Sequence, residues 1–384
     1  MSENNDNRYL LPKDISMFTK EHLEDILEYA FDIKASDIHI QSHEPILVEI
    51  HGRLWKITKR PLDSTEVESF IKKIYGDNAI TEMNQGKAID KSISIFNSKV
   101  GKNGGKIRYR VNAVGIISKG GGDGMQITIR TIASTPPKLS TLKLEKDIWE
   151  NFVPSQGLIL VTGPTGSGKS TLLASCIREI LEDPDPDHSR KIVTYEAPVE
   201  FVYDTVNKHN NSISQTEVPT HLKNFEKAIE SAMRRKPHII LIGEARDPET
   251  IRSSIIASQT GHLVYSTSHT NGVAETIRRM INVFSPEERG SLQYDLIESL
   301  KMVVSQRLLK TVDGGRVAIR EYLIFTNEVK DRLLNVEPNK VAQEIRDIVK
   351  DKGNRLIDDA LRKYEEGKIS LYEYEEAKRA FGGI

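Results

Sequence analysis

The sequence predicts an α/β chain, with a mainly parallel sheet between helices and a smaller α+β domain in front of it. Three observations predict this. Gly157–Thr162 and His238–Gly243 are continuous apolar runs and read as strands buried on both faces. Helical patterns over Leu222–Arg235 and Pro248–Gln259 alternate with strands, the rhythm that builds a parallel sheet. The paired prolines of Thr135-Pro-Pro-Lys138 stop both helix and sheet, and separate this half from one of short strands rich in branched residues.

Residues 1–17 are polar and read as loose, and Met1–Asn7 lacks the apolar core of a signal peptide. Thr19 is placed to cap a helix whose Leu23, Ile26, Leu27, Ala30 and Phe31 form one stripe. Ser36–Gln41, Ile46–Ile50 and Leu54–Ile57 read as strands, with His51-Gly-Arg53 as a turn. Ser64–Tyr75 is helical, with Val67, Phe70, Ile71 and Ile74 on one face. Lys106–Ser118 and Met125–Ile132 are strands joined by the glycine-rich hairpin loop Lys119–Gly124. Further on, Arg190–Tyr195 and His262–Thr267 complete the alternation. The resulting boundaries are an α+β domain at 1–132, a linker at 133–143, a core domain at 144–338 and a helical appendage at 339–384. In the appendage, Ser370-Leu-Tyr-Glu373 has capping-box spacing.

Between the strand Gly157–Thr162 and a helical stripe of Leu172, Leu173, Cys176, Ile177, Ile180 and Leu181 lies the run Gly163, Pro164, Thr165, Gly166, Ser167, Gly168, Lys169, Ser170, followed by Thr171. It fits the phosphate-binding pattern G-x-x-x-x-G-K-[S/T], in the strand–loop–helix order the motif requires. The glycines let backbone N–H groups turn toward phosphate oxygens. Lys169 brings a charge to the β- and γ-phosphates, and the Ser170 hydroxyl suits one position on Mg²⁺. The helix N-terminus adds partial positive charge. A fortuitous glycine turn is the alternative, and the flanking strand and helix weigh against it.

Bulk composition narrows the rest. Lys plus Arg is 54 and Asp plus Glu is 55, a net charge of -1 that gives no global basic field for nucleic acid. Aromatics at 6% offer few platforms for stacked bases. No stretch approaches the roughly 20 apolar residues of a membrane helix. Cys176 is the single cysteine, which excludes an internal disulfide and fits a reducing compartment. These features predict a cytoplasmic protein without an integral membrane segment, and direct nucleic-acid binding is not expected.

Carboxylates at strand ends are expected near a γ-phosphate. Glu244 follows the strand ending at Gly243, and Glu196 follows the one ending at Tyr195, with Pro198 and Glu200 behind it. Hydrolysis needs one carboxylate to hold Mg²⁺ and one to orient water; each alone is equally at home as a surface loop residue. His262 and His269 flank the third strand without zinc-like spacing to other ligands, so hydrogen bonding to phosphate or water is the functional reading. A satisfied core histidine is the default for His262. Arg108, Arg110 and Arg130 lie on strands of the first domain, with Arg108 and Arg110 on one face. They are either a solvated polar face or a basic face that reaches a phosphate across a domain or subunit boundary.

Taken in order, these motifs resemble the secretion ATPase superfamily of type II and type IV systems and pilus motors, from about residue 20 to residue 345. The resemblance includes Ala35-Ser-Asp-Ile-His39, Ile50-His-Gly-Arg53, Arg108-Tyr-Arg-Val-Asn112 and Ile129-Arg-Thr131. In the second half it includes the phosphate loop and Thr194-Tyr-Glu-Ala-Pro-Val-Glu200 in the place of the acidic box. Leu241-Ile-Gly-Glu-Ala-Arg-Asp247 stands in the place of Walker B, and Gly261-His262 through His269-Thr-Asn271 in that of the histidine box. The resemblance implies a RecA-like ATPase core behind a PAS-like domain, with ATP and Mg²⁺ held by the loop, Ser170 and Glu244. Glu196 would position water, and His262 and His269 would sense the γ-phosphate. Arg108, Arg110 and Arg130 would act near the triphosphate from a moving domain. It also implies a homo-oligomer, a hexameric ring, that docks on cytoplasmic and inner-membrane components of a secretion apparatus.

The chain departs from the family pattern in places. Ala197 replaces an aspartate of the acidic box, one cysteine cannot build the four-cysteine metal subdomain of type II proteins, and Asn327-Glu-Val-Lys-Asp-Arg332 stands where retraction ATPases carry Ala-Ile-Arg-Asn-Leu. Thr135–Thr141, Ser170–Ser175, Arg234–Pro237 and Gly272–Thr276 resemble the type IVB (Dot/Icm-like) and conjugative-plasmid branch. The expected function is a motor ATPase of such a secretion or conjugation system. A type IV pilus assembly or retraction ATPase is the runner-up. A nucleic-acid-stimulated helicase motor, a small-molecule kinase and a nucleotide-gated scaffold are readings of other classes.

Overall fold

The computed structural model describes residues 8–97, 105–132 and 135–382, and the chain divides into two units, Met1–Ser134 and Thr135–Ile384. The expectations for Met1–Asn7 and for residues 133–134 of the linker lie outside the described residues.

In the first unit the helices are α1 (His22–Asp32), α2 (Ser64–Tyr75) and α3 (Ala79–Asn84). The strands are β1 (Asp37–Gln41), β2 (Leu47–Ile50), β3 (Arg53–Lys56), β4 (Ile89–Asn97), β5 (Gly105–Ile117) and β6 (Asp123–Ile132). They form an antiparallel sheet in the order β3-β2-β1-β6-β5-β4. The apolar stripe of α1 and Val67, Phe70 and Ile71 of α2 pack with Ile38, Ile40, Tyr109 and Ile129 in one core. Tyr109 is fully buried and its hydroxyl donates to the Leu27 carbonyl at 2.8 Å, fastening β5 to α1. Because side chains alternate along a strand, Ile107, Tyr109 and Val111 face this core and Arg108 and Arg110 take the other face.

Helix starts follow local hydrogen bonding. Asp63 accepts the Glu66 N–H at 2.9 Å while Glu66 accepts the Asp63 N–H at 2.8 Å, a full capping box that begins α2 where the periodicity places it. The expected cap of α1 is corrected: Glu21 holds the N-cap position, and Thr19 accepts the His22 N–H through its carbonyl at 3.0 Å.

In the second unit the strands are β7 (Gly157–Thr162), β8 (Lys191–Glu196), β9 (Ser212–Glu217), β10 (Ile239–Ile242), β11 (Leu263–Ser268), β12 (Leu300–Lys310) and β13 (Arg316–Ile324). Their order is β13-β12-β7-β11-β10-β8-β9, parallel throughout except for the β12–β13 pair. The helices are α4 (Lys146–Glu150), α5 (Lys169–Leu181), α6 (Phe225–Met233), α7 (Pro248–Gln259) and α8 (Val273–Asn282). They continue as α9 (Arg289–Ser299), α10 (Asn327–Leu334), α11 (Val341–Asp351), α12 (Leu356–Glu365) and α13 (Leu371–Phe381). Leu172, Ile177 and Phe152 build a core with Ile159 and Val161 on one face of the sheet. Ala228, Ile251, Ile277, Leu296 and Ile345 build another with Leu158 and Leu160 on the opposite face. A strand covered on both sides explains why all six residues of β7 are buried.

From Thr135 onward, the segment expected as a linker packs on the second unit. A short 3₁₀ turn at Leu139–Leu142 buries Leu139 in the core beneath α5. The C-terminal helices form their own small core with Leu309 and Ile319 of β12 and β13. Ser370 caps α13 by accepting the Glu373 N–H at 3.2 Å, and the Glu373 carboxylate turns away to the Lys310 N–H at 3.0 Å. Among the described residues no helix is long and apolar enough to cross a membrane.

Candidate nucleotide site

The carboxyl ends of β7, β11, β10 and β8 lie side by side, which is where ligands bind in open α/β sheets. The loop 163–168 leaves β7 and enters α5. Gly163 has φ +141°, and a Cβ there would come within 2.3 Å of the Gln306 carbonyl. At Gly168, where φ is +84°, a Cβ would come within 2.9 Å of Gln306 Nε2. These two positions need glycine both for their backbone angles and for close approach. Gly163→Ala is therefore expected to cost at least about 1–3 kcal/mol in strain, read as a lower urea midpoint.

Lys169 is buried, and its ammonium donates to the carbonyls of Gly163 and Pro164, both at 2.9 Å. It also lies 3.5 Å from His269 Nδ1. Burial pushes this ammonium below the usual lysine range, and the charges of Glu200 and Glu244 pull it back. The β7–β11 register sets Ser268 opposite Thr162, so His269 emerges beside the phosphate loop. Burial and the neighbouring Lys169 charge lower the His269 pKa, which keeps the ring neutral at pH 7.

Glu244 leaves β10 through Gly243. A Cβ on Gly243 would meet the Glu196 Cα and the Tyr195 carbonyl, both at 3.2 Å, so glycine lets the exits of β10 and β8 approach. One Glu244 oxygen is 4.0 Å from His269 Nε2, and the other is 3.8 Å from Arg246 Nη1. At the end of β8, Glu196 accepts from the Thr194 hydroxyl at 2.6 Å and from Gln215 Nε2 at 3.3 Å. Burial raises its carboxyl to about 7 against the lowering effect of those two bonds, and the Glu200 charge raises it further. Glu217, opposite Glu196 on β9, accepts the Val199 N–H at 3.2 Å and so braces the loop that carries Glu200.

Thus the structure brings Lys169, Glu244 and His269 together and sets Glu196 at the adjoining strand end. It does not bring His262 there. His262 precedes β11 at the amino ends of the strands, where its carbonyl accepts the Gly157 N–H at 3.0 Å and its Nδ1 lies 3.1 Å from the Ala257 carbonyl. The expected pairing of the two histidines at one phosphate is corrected: a fully buried strand separates them. Arg110 and Arg130 are cross-strand neighbours on the face of the first sheet turned away from its core. Each pairs with a carboxylate of its own sheet, Asp90 at 3.0 Å and Asp37 at 2.7 Å. Arg108, on the same strand face as Arg110, is 6% exposed.

The residues fit a nucleoside triphosphate. The loop is curled by left-handed glycines, its ammonium is aimed inward, and the buried Ser167 hydroxyl has no hydrogen-bond partner among the described residues. A cleft of about 530 Å³ adjoins the loop at Gly168 and Thr171, with Leu142, Leu308 and Val317 among its walls, and such apolar walls suit a base. Gln215, Glu217 and Gln306 escaped sequence reasoning because β9 and β12 were not recognised as strands; the Glu196–Pro198–Glu200 spacing did signal Glu200.

The chain is similar in structure to the ATPase DotB of Legionella pneumophila, 46% identical, with a TM-score of 0.88 over 98% of this chain and 100% of that one. The DotB ATPase of Yersinia pseudotuberculosis is 31% identical, with a TM-score of 0.81 over 97% and 96%. Among curated sequences, the type IV pilus retraction ATPase PilT of Pseudomonas aeruginosa is 36% identical over 83% of this chain and 86% of its own length. The model of the type II/IV secretion system protein family matches residues 13–376. With this span and this likeness, the chain belongs to the type II/IV secretion system protein family and is an ATPase.

Proposed function

We propose that this ATPase powers a type IVB (Dot/Icm-like) secretion or conjugation machine from the cytoplasmic face of the inner membrane. The observation that carries the reading is the likeness to DotB over nearly the whole of both chains. The stretch Asn327–Arg332, which lacks the retraction signature, supports it. A hexameric ring follows from the family resemblance, since heterologous contacts that close make rings. In the proposed roles, Gly163–Thr171 hold the phosphates, Ser170 and Glu244 hold Mg²⁺, Glu196 orients water, and His269 reads the γ-phosphate. Arg108, Arg110 and Arg130 meet the triphosphate from the first unit or a neighbouring copy. Bound Mg²⁺ would supply neutralisation of the charge that develops between the β- and γ-phosphates.

Pilus retraction is the second reading, favoured by the 36% identity to PilT. Deleting the gene in its own host separates the two. Loss of substrate translocation with twitching motility intact supports the secretion reading; loss of twitching with translocation intact overturns it. Native mass measurement with a non-hydrolysable ATP analogue should show a particle of six chain masses, and a persistent monomer would remove the ring.

A further inference from the structure

A buried chain of polar groups runs from the phosphate loop to the segment through which the polypeptide enters the second unit. Gln306 on β12 donates through Nε2 to the Ser167 carbonyl at 2.7 Å. Its Oε1 accepts from Arg320 Nε at 2.8 Å, across the β12–β13 pair where the two residues stand opposite each other. Arg320 is 2% exposed. Its Nη1 donates to Glu145 Oε2 at 2.9 Å, its Nη2 to the Leu142 carbonyl at 3.4 Å, and its backbone N–H to Asp359 Oδ2 at 2.9 Å. The entering segment is pinned a second time by Arg178 of α5, whose Nη1 donates to the Pro136 carbonyl at 2.6 Å. Residues 136–145 are therefore fastened both to the helix of the phosphate loop and, through two buried side chains, to the loop itself.

Each link has a reason to hold. A buried guanidinium keeps its charge and needs a carboxylate, here Glu145, whose second oxygen is buried with no partner among the described residues. A buried amide whose donor loses its acceptor carries the desolvation cost unpaid. We propose that Gln306 and Arg320 are positioning residues: they hold the phosphate loop in its binding shape and tie that shape to the entering segment at Leu142–Glu145. Nucleotide affinity then responds to Glu145, a residue outside the loop, and nucleotide binding reciprocally stiffens the segment that leads back to the first unit. The inference rests on ATP binding at the loop and not on which machine the ATPase serves.

The test uses the purified full chain, a fluorescent ATP analogue and steady-state turnover. Gln306→Glu keeps an oxygen for Arg320 but sets an acceptor against the Ser167 carbonyl. Affinity is expected to fall about tenfold, the cost of one buried hydrogen bond, and KM to rise in proportion while kcat stays within about twofold. Glu145→Gln is expected to weaken affinity about threefold. The double variant should lose less than the product of the two, because the residues share one network. Unchanged affinity in a Gln306→Glu protein that melts cooperatively overturns the hold on the loop. Strictly multiplicative losses, or unchanged affinity in Glu145→Gln, overturn the tie to the entering segment. If Gln306→Glu does not fold, Gln306→Met, close in volume and without the donor, takes its place with the same expected loss.

Discussion

Glu244→Gln is expected to lower kcat by about 10²–10³-fold while ATP affinity stays within about threefold, the range for loss of a group that stabilises charge developing in the transition state, here through the Mg²⁺ it is proposed to hold. The carboxylate stands at the exit of β10, 4.0 Å from a ring nitrogen of His269, and its charge reaches Lys169. An amide of the same shape preserves packing around Gly243 but lacks the charge that would hold the metal ion. Phosphate release measures the loss, and equilibrium binding of an ATP analogue measures what is retained. Turnover surviving in the variant would remove Glu244 from the proposed chemistry. Loss of binding together with turnover would instead assign it to holding the nucleotide.

For Glu196 the expected signature is a pH profile. Burial lifts its carboxyl to about 7, so at pH 6 it is mostly protonated and cannot orient water as a base. The ratio kcat/KM should climb about tenfold per pH unit below 7 and level off above it, and Glu196→Gln should abolish that limb along with most of the activity. Thr194→Val removes a donor that favours the charged form and should move the limb to higher pH. Stability follows the opposite sign. The unfolded carboxyl ionises near its ordinary 4.5, before the folded one, so the stability contributed by burying the neutral acid declines as pH rises from 4.5 to about 7 and is flat beyond. A kcat/KM profile without a limb near 7 would show that this carboxylate is not the titrating group.

Much of this is legible in the sequence. The phosphate loop and Glu244 each follow a continuous apolar run, the signature that a strand buried on both faces leaves in sequence, and His269 follows a third strand that opens Leu-Val-Tyr. The antiparallel pair β12–β13 was not recognised. Its side chains include Ser305, Gln306, Arg307 and Arg320, whose polarity breaks the apolar run although Ser305, Gln306 and Arg320 are buried. What redeems those residues is a partner 14 or 139 positions away, which no local pattern records. For His262 the residues alone favour a satisfied core histidine, and only the family resemblance places it with His269 at the phosphate; an extended strand rises about 3.3 Å per residue and carries its ends roughly 20 Å apart.

That separation has a practical side. One imidazole follows β11 beside the phosphate loop and another precedes it at the amino ends of the strands, with six buried residues between them. With the nucleotide at the proposed site, the ring protons of the first should report its arrival, and those of the second should serve as an internal reference in the same solution and at the same temperature.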